Sequence, residues 1–474
     1  MRKTKIICTI GPASSSQEII QGLIEKGMDV ARLNFSHGAP DQHVQTISTL
    51  RHCAEKLGVP LAILQDLQGP KIRIGSLEEG GRVRLELGAE VIITTRDIVG
   101  TARVVPTTYQ GLPRDVKQGD CILLADGQIE LEVLSVTITD VRCRVVHGGE
   151  LGEHQGINLP NVSSGSPAFT DKDRDDLMLG LKHGVDYVAQ SFVRTAQDLR
   201  EVKGFISEHG SETPVIAKLE THQALDHLEE ILSVADGVMI ARGDLGVELP
   251  LERVPTWQKR IIAEASKGHV LVITATQMME SMILSPRPTR AEASDVANAV
   301  FDGTDAVMLS GETAIGEYPL EAVEVMSRIV LEADSVAERP PSLSEITISD
   351  DYPNSISYAA RRIVRVNPSV CAIVAFTISG FTAHLVSKIR PRVPILALTP
   401  NPQVYNKLSL LWGVVPRPCD YFDDMEDMIG AVDAILQTEG LGVPGQSAVI
   451  LGSLPLRSRG TTNFLRLHRI GASN

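Results

Sequence analysis

Two stretches decide how this chain folds: PVIAKLE at 214–220 and GVMIARGD at 237–244. Each is an apolar, strand-like run closed by charge, Lys218 and Glu220 ending the first and Arg242 and Asp244 the second. A cation beside acidic groups at consecutive strand ends suits metal-assisted chemistry on an anionic substrate. The carboxylates hold a divalent ion and the ammonium neutralises developing charge. The same ending recurs outward in both directions. KIICTI stops at Thr9, DVARLNFSH at Arg32, Asn34 and Ser36, LAILQD at Asp66, DYVAQS at Ser191, LVITATQ at Thr276, and AVMLSGE at Ser310 and Glu312.

Eight such strands, most followed by a helical pattern, predict a (β/α)8 TIM barrel, whose interior is packed with side chains and whose chemistry sits at the C-terminal rim. Successive ends lie roughly 25 to 35 residues apart, one βα unit, except for the 125 residues between Asp66 and Ser191. That interval accommodates a whole inserted domain. RVRLEL, EVIITT, CILLADG, IELEVLSVTI and VRCRVV within it alternate with period two between Gly, Pro and Asp, the pattern of a small antiparallel β-barrel. After the eighth strand, EAVEVMSRIVLEA runs into RPPSLSE at 339–345, a Pro- and Ser-rich boundary. Alternating helices and strands then predict a doubly wound α/β domain, with NFLRLHRI as its last strand. The expected organisation is therefore barrel at 1–70, β-barrel lid at 71–166, barrel again at 167–340 and a C-terminal α/β regulatory domain at 341–474.

Composition sets limits on partners. No run approaches the roughly 18 apolar residues of a membrane span. The basic start of MRKTKIICTI is followed by too little apolar core for a signal peptide, so a cytoplasmic location is expected. Six scattered cysteines without a C-x-x-C pair read as reduced thiols. A net charge of −14 disfavours nucleic acid and anionic membrane. The strand ends and the segment after Asp66 nevertheless gather Arg32, Lys71, Arg73, Lys218 and Arg242. A basic cleft in an acidic protein points to a small anionic substrate.

On TKIICTIGPAS, DVARLNFSHG, DLQGPKIR, VIAKLE, MIARGDLGVE, ITATQMMESM, PTRAEASDVANAV and GTDAVMLSGET, in that order, the chain resembles the pyruvate kinase family over essentially its full length. The resemblance implies phosphoryl transfer from phosphoenolpyruvate to ADP and protonation of the pyruvate enolate. It implies Lys218 and Arg32 as cations for the transferred group, and Glu220 and Asp244 as ligands of Mg²⁺ or Mn²⁺. Thr276 and the N–H groups of Gly243 and Asp244 match positions for the substrate carboxylate, and Thr276, Ser310 and Glu312 match the proton-delivery network. Asn34, His37, Arg73 and Lys172 match positions facing the nucleotide. Family precedent is a homotetramer.

Many relatives hold K⁺ with groups matching Asn34, Ser36, Asp66 and the carbonyl of Leu67, and carry glutamate where this chain has Lys71. Leu67, Gln68, Lys71 and Ile74 resemble the branch that works without K⁺. Asn34 and Ser36 could alternatively cap the following helix, and the methionines of the MMESM helix read as packing. Two departures stand out. Ala125 and Asp126 replace a pair of aspartates before Gly127, and Phe381 replaces a basic residue in the TISGFT loop. Thr377, Ser379 and Thr382 still suit the phosphate of an effector metabolite. Two other functions compete: a metal-dependent barrel lyase or aldolase acting on pyruvate-like enolates, and a non-catalytic effector-binding relative.

Overall fold

A computed structural model describes residues 1–160, 162, 165–337, 352–456 and 461–472. The boundary expected at RPPSLSE lies outside the described residues. Eight parallel strands close into a barrel: β1 (Lys5–Ile10), β2 (Val30–Asn34), β3 (Ala62–Asp66), and then, after the insertion, β12 (Tyr187–Gln190), β13 (Val215–Leu219), β14 (Gly237–Ala241), β15 (Leu271–Ala275) and β16 (Ala306–Leu309). Their order around the barrel is β1-β16-β15-β14-β13-β12-β3-β2. Nearly every residue of these strands is buried, as expected where one side fills the barrel and the other meets helices. Each predicted polar ending falls within, or one to three residues beyond, a strand terminus, because the apolar run stops where the interior stops.

By density of internal contacts the chain divides into two compact units, residues 1–65 with 179–188 and 262–474, and residues 66–178 with 189–261. The second unit carries the insertion. Its strands are β4 (Arg82–Leu85), β5 (Glu90–Thr94), β6 (Val104–Pro106), β7 (Cys121–Leu124), β8 (Ile129–Val136), β9 (Asp140–His147), β10 (Gly149–Gly152) and β11 (Ile157–Asn158). They form a six-stranded sheet, β11-β7-β8-β9-β5-β6, and a two-stranded ribbon, β10-β4. Antiparallel pairing dominates, with β5 and β6 parallel. Val83, Leu85 and Leu151 of the ribbon share one core with Ile93, Leu131 and Val141 of the sheet, so the period-two pattern is burial on a common inner face.

The first unit contains the C-terminal sheet: β17 (Val370–Phe376), β18 (Ile395–Thr399), β19 (Val414–Pro418), β20 (Ser447–Gly452) and β21 (Phe464–Arg469). The order is β19-β18-β17-β20-β21, parallel except for β21. All six cysteines are free thiols. Burial pushes Cys143 up to about 12. Met278, Met279 and Met282 are fully buried, so that segment packs as expected, although its helix is only the 3-10 turn Glu280–Ile283. No described helix is long and apolar enough to cross a membrane.

Candidate active site

Lys218 is the penultimate residue of β13, held where the barrel interior ends, with its side chain only 11% exposed. Its Nζ lies 2.7 Å from Glu220 Oε1 and 3.2 Å from Asp66 Oδ1, and donates to Ser191 Oγ at 2.7 Å. Ser191 donates in turn to the Leu67 carbonyl at 2.7 Å, which leaves its lone pairs to the ammonium. The second oxygen of Glu220 accepts the Phe192 N–H at 2.8 Å, from a backbone held at φ 55°. A bulky residue in the left-handed region is strained, and such strain is retained where the surroundings over-determine it. Two buried carboxylates around one ammonium leave a net negative charge. Burial pushes the Glu220 carboxyl up, Lys218 pulls it down, and Asp244 pushes it up again, so Glu220 senses a second carboxylate.

Asp244 stands in the first turn of the helix Arg242–Glu248, directly after β14, with Gly243 before it. That end of a helix favours anions. Among the described residues no three His, Cys, Asp or Glu converge on a common point. The two-carboxylate set of Glu220 and Asp244 suits a hard divalent cation that completes its shell with water and substrate oxygens.

A cleft of about 300 Å³ opens on the same unit, its walls including Lys71, Asp126, Arg194, His222, Asp244 and Glu248. Lys71 and Asp126 face one another across Gly156, where an added Cβ would lie 3.7 Å from Lys71 Cε and 3.7 Å from Asp126 Oδ1. Of the Ala125 and Asp126 pair, Asp126 faces the cleft and Ala125 is buried. Both have positive φ. Arg73 donates to the His154 carbonyl at 2.9 Å. Lys172 is exposed and paired with Asp176 at 2.5 Å.

The remaining sequence candidates belong to the first unit. Arg32 is buried in the middle of β2 and donates from Nη1 to Thr9 Oγ1 at 3.0 Å. Asn34 Oδ1 accepts the Ser36 N–H at 3.2 Å. The helix Pro40–Leu57 is capped at Ala39, so neither Asn34 nor Ser36 is its N-cap. His37 is exposed, and its carbonyl contacts the His43 ring at 2.9 Å. Thr276 and Gln277 follow β15 at φ 64° and 54°, two consecutive non-glycine residues in the left-handed region, and Thr276 donates to the Ala275 carbonyl at 2.7 Å. Glu312 is buried, accepting the Ser310 N–H at 2.7 Å and the Met279 N–H at 3.0 Å, and burial pushes its carboxyl up. Ser310 Oγ is buried with no hydrogen-bond partner among the described residues.

In the C-terminal domain Thr377 Oγ1 accepts the Gly380 N–H at 2.8 Å, Thr382 Oγ1 is 2.8 Å from Thr462 Oγ1, and Ser379 is exposed. All three line a cavity whose wall includes Phe381 and Tyr421.

Sequence reasoning did not pick out Ser191 as the partner of Lys218, nor Phe192 or Glu248 as site residues. Ser191 was visible as a polar strand end. Phe192 acts through its backbone, and Glu248 gains its character from burial, so neither leaves a mark in residue type.

The family descriptions "Pyruvate kinase, barrel domain" and "Pyruvate kinase, alpha/beta domain" match residues 1–323 and 354–468. The chain is 43% identical over 476 residues to the pyruvate kinase of Staphylococcus haemolyticus, covering 99% of this chain and 81% of that one. It is 43% identical over 479 residues to the pyruvate kinase of Geobacillus stearothermophilus (99% and 80%), and 48% over 420 residues to pyruvate kinase 2 of Synechocystis (88% and 70%). A crystal structure of a pyruvate kinase from Cryptosporidium parvum superposes with a TM-score of 0.93 at 37% identity, covering 99% of this chain and 96% of that one.

Glu248 yields a pH prediction. Burial first, and then Asp244, push its carboxyl up to about 7 against the His222 N–H that it accepts. A folded pKa above the unfolded 4.5 means that the folded state holds the proton more tightly, so this stability is lost as pH rises through the interval from 4.5 to about 7. Glu248→Gln, which keeps the acceptor and cannot ionise, should be more stable than the parent at pH 7.5 by on the order of 1–3 kcal/mol and close to it at pH 5. Urea denaturation at the two pH values measures this, and a gap that does not widen with pH contradicts it.

Proposed function

The chain belongs to the pyruvate kinase family, transferring the phosphoryl group of phosphoenolpyruvate to ADP, and on that premise we propose how its residues divide the work. The observation that carries the reading is the contact of Lys218 with Glu220, Asp66 and Ser191 in a site almost closed to water. Phosphoryl transfer has a loose transition state with charge spread over the equatorial oxygens, so positioning and charge neutralisation supply most of the catalysis. Lys218 and Arg32 neutralise that charge. The bond from phosphorus to the enol oxygen breaks as a β-phosphate oxygen of ADP bonds to phosphorus, leaving the enolate of pyruvate.

The family requires a divalent metal. Glu220 and Asp244 would hold it, as Mg²⁺ or Mn²⁺, and it would add positive charge against the phosphoryl oxygens. Thr276 and the N–H groups of Gly243 and Asp244 receive the substrate carboxylate. Ser310, whose Oγ is buried without a hydrogen-bond partner among the described residues, supports the enolate proton route with Thr276 and Glu312. Asn34, His37, Arg73 and Lys172 face the nucleotide. A phosphorylated metabolite at Thr377, Ser379 and Thr382 acts as effector. Exposed Phe301 and Val336 line an apolar groove with Ala297 and Ile329, which supports self-association into the homotetramer.

A barrel lyase needs neither a buried ammonium between carboxylates nor a lid, and no observation favours it. Lys218→Met should keep the fold and lower ADP-dependent pyruvate formation by roughly 10²- to 10³-fold or more. Turnover beside a circular dichroism melt tests this, and near-normal turnover refutes the assignment.

Lys71 takes the place of K⁺. Its ammonium shares the cleft with Asp126 and Asp244, where a flexible cation can supply the charge that a bound K⁺ brings elsewhere. Turnover in Na⁺- and K⁺-free buffer, with ionic strength held by a bulky quaternary ammonium salt, should match turnover with K⁺ added. Lys71→Glu should create a K⁺ requirement. Strong K⁺ activation of the unmodified enzyme overturns the reading.

A further inference from the structure

The floor of the first unit carries an ion cluster that the chemistry above does not use. Asp305 immediately precedes β16 and is fully buried. Its Oδ2 is 2.6 Å from Lys388 Nζ and its Oδ1 2.6 Å from Arg390 Nη2, both cations coming from the C-terminal domain. The same carboxylate accepts the Val272 N–H of β15 at 2.8 Å, while the Asp305 carbonyl accepts the Lys5 N–H of β1 at 2.9 Å. One side chain thus fastens the starts of β15 and β16 to a single point. Lys388 closes the helix Phe381–Lys388, and Arg390 follows it at φ 50°, a strained turn that brings its guanidinium to Asp305, to the Gly303 carbonyl at 2.8 Å and over the Trp412 ring at 4.7 Å. Midway along the helix, His384 contacts the His269 carbonyl at 2.7 Å, just ahead of β15. Burial lowers Lys388 only to about 8 against the pull of Asp305, so the cluster is charged at neutral pH.

The two ends of this arrangement matter. Phe381 and Thr382, in the first turn of the helix, form part of the wall of the C-terminal cavity. At their far ends β15 leads into Thr276 and β16 into Ser310 and Glu312. The helix has eight residues and β16 four, so each is a short, stiff element with little slack. Packed, hydrogen-bonded elements shift as units.

We propose that Asp305, Lys388 and Arg390 are positioning residues that couple the helix Phe381–Lys388 to β15 and β16, so that an anion bound at the Thr377–Thr382 loop is felt at Thr276, Ser310 and Glu312. This rests on the effector reading of that loop. A cluster that merely glued two domains together would not need to sit on the strands that carry the proton-delivery groups.

A double-mutant cycle tests the coupling, with Ser379→Glu as a permanent anion in the loop. In the Lys388 background Ser379→Glu should change half-saturation by phosphoenolpyruvate about fivefold or more, with kcat much less affected. In Lys388→Met that shift should collapse, and in Lys388→Arg it should return. Lys388→Met leaves Asp305 paired with Arg390, so no carboxylate is stranded. Should it still fail to fold, Arg390→Met, which leaves Lys388 in place, gives the same readout. An undiminished shift in Lys388→Met or Arg390→Met overturns the coupling while leaving the effector reading intact. A silent Ser379→Glu in the Lys388 background removes the effector reading, and the coupling with it.

Discussion

A buried ammonium held between two buried carboxylates is the constraint on which the rest of this protein depends. Lys218, Asp66 and Glu220 have side chains 11%, 1% and 3% exposed. Taking such charges from water costs several kcal/mol each, and a well-packed apolar trio would often be as stable or more so. The cluster is therefore explained by chemistry. On the reading proposed above, its excess negative charge, reinforced by Asp244, serves to attract a cation, and Lys218 sets one fixed positive charge for the anionic substrate. The apolar strands below supply the rigid, dry support that makes those charges effective.

The barrel divides its labour between two rims. At the carboxyl ends of the strands the backbone is repeatedly forced into positive φ, at Phe192, Thr276 and Gln277, and the Ser310 hydroxyl is buried without a partner among the described residues. At the opposite ends Asp305 alone engages two cations and a β-strand N–H. Positive φ recurs near the opposite ends, at His269 and Arg390, so backbone strain marks both rims, and what distinguishes the carboxyl ends is the polar residue that closes each strand there.

Much of this was legible in the residues because the barrel imposes a simple rule. An apolar run must end where the interior ends, so each terminal polar residue marks both a strand boundary and a position on the rim. The rule located Thr9, Arg32, Asp66 and Lys218 within their strands and Ser191, Thr276 and Ser310 just beyond theirs. The 125-residue interval announced the inserted domain, and its alternation gave the strands, though not the parallel β5–β6 pair, since period two is the same in either direction. What stayed hidden acts through backbone or environment. The Phe192 N–H reaches Glu220 only through a local φ of 55°, and Glu248 is an ordinary glutamate until the cleft removes its water. His37 and Lys172, taken from motif position, are exposed, and Lys172 has its own aspartate, so their part in binding depends on the nucleotide itself.

On the proposed reading, Glu220 and its neighbours hold their excess negative charge for a divalent cation. Equilibrium titration with Mn²⁺, followed by the electron paramagnetic resonance of the free ion, measures this without substrate or turnover. Glu220→Gln, folded and equal in shape, should bind Mn²⁺ at least about tenfold more weakly than the parent, because it removes one of the two carboxylates proposed to hold the ion. Equal affinity in the two proteins would contradict the account.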